Sequence, residues 1–167
     1  MVLLQLIASF FLLITPASAQ TATPTLEFVM QLRVTLGQPY TAGQTAHGRR
    51  TVIPITGGTF SGPRISGTIL PGGADYQLGS TDGQRTDLDA IYDIKADDGT
   101  IIHVRNRGII TNPTDGQSGY FMAAPQFEVA TDSPHAWLAN AIYVCAPDFS
   151  QPFQGIVLNV WKATPCN

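Results

Sequence analysis

A chain of 167 residues with nine Lys and Arg against twelve Asp and Glu, net charge −3, has no basic stripe with which to neutralise phosphates, so nucleic acid is excluded as an expected partner. Charged residues are only 13% of the total while 16 glycines and 12 prolines punctuate the chain, which favours a turn-rich β protein over a helical one.

The opening stretch "MVLLQLIASFFLLITPASAQ" carries an apolar run from Val2 to Ile14, then Pro16 and the small-residue pattern Ala17-Ser18-Ala19. This is the h-region and cleavage pattern of a secretory signal peptide, and the run is shorter than the ~20 apolar residues of a membrane span. The expectation is a leader over 1–19, a single domain over 20–167, secretion to the extracellular space, and no stable membrane insertion once the leader is cut.

"LEFVMQLRVTL" alternates, with Leu26, Phe28, Met30, Leu32, Val34 and Leu36 on one side, and predicts a long strand with one apolar face. "GQPYTAGQTAHGRR" is expected to be a loop. "TVIPITGGTFSGPRISGTIL" regains strand character but is interrupted by Gly57, Gly58, Gly62 and Gly67, the residues that bend a sheet toward closure. "LPGGADYQLGSTDG", residues 70–83, shows neither period and reads either as a surface turn or as a segment that aims Asp75 into a cavity. In "RTDLDAIYDIKADDGTIIHVRNRGII" two β-rich runs flank Asp97-Asp98-Gly99, which predicts a hairpin. "TNPTDGQSG" predicts a loop, and "YFMAAPQFEVA" a strand in which Pro125 marks an edge or bulge. One short helix is expected near 133–139, with Ser133 as N-cap and Pro134 at N1. "AIYVC" and "GIVLNVWKA" close the chain as strands. Many closely spaced antiparallel strands predict a closed barrel rather than a sandwich.

Cys145 and Cys166 would favour a disulfide in an oxidising compartment, but a bridge requires the C-terminal tail to fold back, because bridged Cα atoms lie within about 7 Å. Asn112-Pro113-Thr114 is no glycosylation acceptor because of its proline. No G-x-S-x-G, H-E-x-x-H, P-loop or dinucleotide fingerprint occurs, and His47, His103 and His135 lack ligand spacing, so no metal and no cofactor are expected.

"GGTFSGPRISGTILPGGADYQ", followed by "LDAIY", "DDGTIIHVRNRG", "YFMAAPQFE" and "AWLANAIYV", resembles the DUF3237 (UPF0311) family over about Glu27 to Trp161. The resemblance implies an antiparallel β-barrel of calycin-like shape and says little about a reaction. Family members often carry a Trp after Pro-Gly-Gly-Ala-Asp, and arginines in "LDARY" and after Tyr-Phe; here those positions hold Tyr76, Ile91 and Met122. If those arginines point inward, their loss makes the pocket less suited to an anion.

Within the shared elements, Asp75 follows a Gly-Gly turn that lets the backbone approach closely, Asp89 lies mid-strand, and Glu128 follows Pro125-Gln126-Phe127. Alternation sets Leu88, Ala90, Tyr92 and Ile94 on one face and Asp87, Asp89, Ile91 and Asp93 on the other; that second face is read as solvent for Asp87 and Asp93, while Asp89 is set apart by the family element that contains it. Of His103 and Asn106, only one can face the lumen. Carboxylates desolvated in a barrel acquire raised pKa values and can act as acids or bases, so Asp75, Asp89 and Glu128 are the catalytic candidates. Tyr76, Tyr92, His103, Asn106, Phe121 and Phe127 are the candidate ligand contacts. The expected partner is a small hydrophobic or aromatic molecule. Three functions compete: a cofactor-independent isomerase, cyclase or lyase, a lipocalin-like carrier whose lumen is lined by Phe28, Met30, Phe60, Tyr92, Phe121, Phe127 and Trp161, and a structural cell-surface module with a filled barrel.

Overall fold

The computed structural model describes residues 23–112 and 119–166. The expected leader, and most of the expected loop after Thr111, lie outside these residues. Ten strands follow one another: β1 (Thr25–Leu36), β2 (Tyr40–Thr45), β3 (Gly48–Ser61), β4 (Ser66–Ile69), β5 (Ala74–Gly79), β6 (Arg85–Ala96), β7 (Ile101–Thr111), β8 (Tyr120–Val129), β9 (Ile142–Pro147) and β10 (Ile156–Thr164). Their ladders run β1-β10-β9-β8-β7-β6-β4-β3, and β1 pairs with β3 to close the ring. All pairings are antiparallel. Between β3 and β6 one place in the ring is shared by β4 and β5, while β2 lies outside the ring as a flap on the first half of β3. The result is an eight-place calycin-like barrel, a size whose interior is either filled by side chains or holds one small ligand.

Gly57 and Gly58, both with φ near +140°, let β3 serve two partners on each flank. Up to Pro54 β3 is bonded to β2 and β5; from Ile55 it is bonded to β1, and from Gly58 to β4 as well. A Cβ on Gly58 would lie 2.1 Å from the Arg33 carbonyl oxygen, so the crossing requires glycine.

The barrel is packed at one end and hollow at the other. At the packed end Met30, Leu32, Ile94, Ile102, Val104 and Val160 are almost wholly inaccessible, and Phe127 meets Tyr143 edge to face at 5.0 Å. The stopper of this end is a single 3-10 turn, Ala136–Asn140, which buries Leu138. Arg64 stacks over its Trp137 at 4.3 Å, and the Tyr143 hydroxyl donates to the Trp137 carbonyl.

Several expectations are corrected. The helix starts three residues late and is 3-10, because Ser133 and His135 carbonyls accept from Ala136 and Leu138, three residues on. Ser133 does not cap it; its hydroxyl accepts from the His135 N–H in the preceding turn. Residues 40–45 form β2 rather than loop, and 74–79 form β5. In β1 the register shifts between Phe28 and Met30, so Val29 turns inward, and Leu26 and Phe28 emerge on the outer face. Pro125 sits within β8 opposite Asn106, past Ala123, the one residue through which β8 ladders with β9. Cys145 is buried and Cys166 exposed, and both are free thiols.

Candidate functional site

The site begins with the turn Pro71-Gly72-Gly73. Gly72 adopts φ +118°, and Gly73 lies so close to β6 that a Cβ there would come within 2.4 Å of both the Ile91 carbonyl oxygen and Tyr92 Cβ. Two glycines in succession thus lay β5 tightly on β6 and turn Asp75 inward beside Tyr92. The β5–β6 ladder holds at Asp75↔Ala90 and again at Leu78↔Asp87, and gapes between them. Into this gap reaches the Asp75 carboxylate, whose Oδ1 accepts the Asp89 backbone N–H at 3.1 Å. Gln77, on the same inward face two residues on, donates from Nε2 to Asp75 Oδ2 at 2.8 Å.

These groups border a cavity of about 210 Å³ at the hollow end. One wall, from β5, β6 and β7, carries Asp75, Gln77, Tyr92 and Asn106; the facing walls are aliphatic and aromatic, from Val34 and Leu36 to Phe121 and Leu158. An engineered apolar cavity of about 150 Å³ admits benzene, so this one accommodates a substituted ring. Burial raises the Asp75 pKa, and outweighs the two hydrogen bonds that favour the charged form. Tyr92 is 3% exposed, and among the described residues its hydroxyl has no hydrogen-bond partner. Burial again, with minor repulsion from Cys145 and Asp75, holds its phenol protonated far above the usual range. Asn106, 5% exposed, meets the Cys145 sulfur, 3.3 Å from Nδ2 and 3.6 Å from Oδ1. Burial pushes that thiol up to about 11, so it is neutral at physiological pH.

This arrangement can hold one small molecule by its polar end and exchange a proton with it. Asp75 is acceptor-only when charged and a donor when protonated, while the Tyr92 hydroxyl can do either.

Of the residues singled out in the sequence, the structure brings Asp75, Tyr92, Asn106 and Phe121 to the lumen. Asp89 and Glu128 do not join them. Strand alternation turns Asp89 outward, where Arg105 binds it at 2.8 and 2.7 Å and Arg107 lies at 3.6 Å. The Arg105 bond holds its carboxyl below the ordinary value, the opposite of Asp75. Glu128 is exposed on β8, opposite His103. His103 is also outside, with Nδ1 2.8 Å from Asp93 Oδ1, and Tyr76 is 43% exposed. Phe127 belongs to the packed core, with Met30 and Phe60, while Phe28 stands against Trp161 edge to face. Ile91 and Met122 border shallow depressions distinct from the lumen, so no basic group at those two positions would reach it. Among the polar lining residues Gln77 is the one the sequence reading did not single out, although it follows Asp75 by the strand period of two, a usable signal. Cys145 does not line the lumen but lies behind it against Asn106, 39 residues away, and no local pattern links the two.

Comparison with known proteins places this geometry. A family model described as protein of unknown function (DUF3237) matches residues 24–163. A UPF0311 protein of Clostridium acetobutylicum is 38% identical over 150 residues, covering 81% of this chain and 92% of its own. A β-barrel-like protein of Acinetobacter baumannii superposes with a TM-score of 0.76 at 26% identity, over 88% of this chain and 100% of that one. An enzyme from Penicillium herquei superposes with a TM-score of 0.67, also at 26% identity, over 88% and 98% of the two chains. The chain belongs to the DUF3237 family.

Proposed function

We propose that this is a secreted, cofactor-independent acid/base enzyme that isomerises, cyclises or eliminates on one small, largely apolar or aromatic molecule held in the lumen. The observation that carries the proposal is a desolvated carboxylate, Asp75, facing an apolar cavity beside a hydroxyl, Tyr92, that has no partner of its own. Asp75 takes a proton from the bound molecule and returns it at a second atom, so the carboxylate is regenerated and no outside reagent is consumed. A pKa raised toward neutrality suits both halves of that exchange. Tyr92 and Asn106 hold the polar atom on which charge develops. The likeness to a Penicillium herquei enzyme supports a catalytic use of this fold.

The apolar facing walls also suit a second reading, a carrier that returns its ligand unchanged. A structural module predicts a barrel packed throughout, and the hollow end departs from that.

Native mass spectrometry of the protein from its own source identifies a co-purifying molecule, and turnover of that molecule is compared in wild type and Asp75→Asn. Loss of turnover by about 10²-fold or more, with binding retained, is the expected result. A wild type that binds the molecule and leaves it chemically unchanged establishes the carrier; equal turnover by both proteins overturns the role of Asp75.

A further inference from the structure

The ionisable groups that line the lumen are both acids, Asp75 and Tyr92; among the described residues no Lys, Arg or His borders it. The guanidinium groups of the same wall are spent outside it. Arg105 and Arg107 are on Asp89, and Arg50 donates to the Tyr76 carbonyl. An anion placed in this cavity would lie unpaired next to a carboxylate in apolar surroundings, the costliest arrangement for a buried charge.

Apart from the second N–H of Asn106, the free hydrogen-bonding capacity leans the same way. Ionised Asp75 only accepts, and each oxygen, with one bond made, has a lone pair to spare. Gln77 has turned its amide nitrogen to Asp75, so its Oε1 is the uncommitted end. The unpartnered Tyr92 hydroxyl can accept as well as donate. Three acceptors on one wall, one of them charged, are the complement of a group with three N–H donors and a positive charge.

Resting on the lumen as the ligand site, we propose that the molecule it takes is a protonated amine on a compact apolar body. The ammonium pairs with Asp75 and donates to Gln77 and Tyr92, while a ring packs against Phe121 and the aliphatic residues of the facing walls. The pairing removes the uncompensated charge of Asp75, and the same contact is the path by which the ammonium can pass its proton to the carboxylate.

Three probes of one shape test this by NMR titration near neutral pH: 2-phenylethylamine, 2-phenylethanol and phenylacetate. The side-chain signals of Phe121 and Ile110 report entry into the lumen. The amine is expected to bind most tightly, about tenfold tighter than the alcohol, with no binding of phenylacetate. In Asp75→Asn the amine should fall to the level of the alcohol. Alcohol or acid entering the lumen as tightly as the amine overturns the inference and leaves the lumen as a ligand site. An amine advantage that survives Asp75→Asn also overturns it, because the cation is then recognised by something other than Asp75. No perturbation of Phe121 or Ile110 by any probe overturns the ligand site itself.

Discussion

The two ends of this barrel are built from the same strands and do opposite things. β6 supplies Ile94 to the packed end and Leu88, Ala90 and Tyr92 to the hollow one. β7 supplies Ile102 and Val104 to the former, Asn106 and Ile110 to the latter. The polar residues enter where packing stops. Labour is divided along each strand: close packing at one end holds the ring closed, which leaves the other end free to keep a partly polar cavity that contributes little to stability.

Truncating an aromatic side chain at each end should separate the two regions most strongly. Phe127→Ala should cost about 3–5 kcal/mol in chemical denaturation, because it opens a cavity in a close-packed cluster. Phe121→Ala, whose ring already borders empty space, should cost about 1 kcal/mol. Equal losses would mean that the hollow is filled in solution. A smaller effect tests the seam between the two regions. Gly73→Ala forces a methyl into the β6 backbone and should cost about 1–3 kcal/mol, with shifts in the Tyr92 signals that show the lumen wall displaced.

The smallest effect concerns charge. The folded pKa of Asp75 is raised, so the unfolded state releases this proton first as pH rises. Its stabilising contribution is complete below the unfolded value of 3.8 and is lost as pH climbs through the folded value. Asp75→Asn should therefore equal or exceed wild type in stability at neutral pH, and lose that advantage in acid. Denaturation midpoints of both proteins across this range measure the difference. An advantage that grows in acid would mean that Asp75 is held as Asp89 is, by a compensating partner.

Much of this division could be seen in the chain. Alternation in β6 separates Tyr92 from Asp89, and the Gly72-Gly73 pair marks the close approach that aims Asp75. The β6–β7 hairpin around Gly99 follows from its turn residues, since Gly99 adopts φ +92°. What could not be seen depends on contacts between distant residues or on one-residue slips. The bulge at Val29 reverses the phase of β1 and sends two of its apolar side chains outside, though the residues on either side read as unbroken alternation. β2 and β5 are held by β3, not by a pattern of their own, so short polar runs with glycines concealed them. The pull of Arg105 on Asp89, 16 residues away, depends on the hairpin register and not on the identity of either residue.

The 3-10 stopper has a consequence for traffic. Leu138 and its neighbours belong to the close-packed core, so among the described residues the chamber is closed by side chains on the side of the 3-10 turn. On the function proposed above, a molecule in the chamber could not pass through that packed side, so arrival and departure would share the hollow half of the barrel and the rate of egress would limit repeated use.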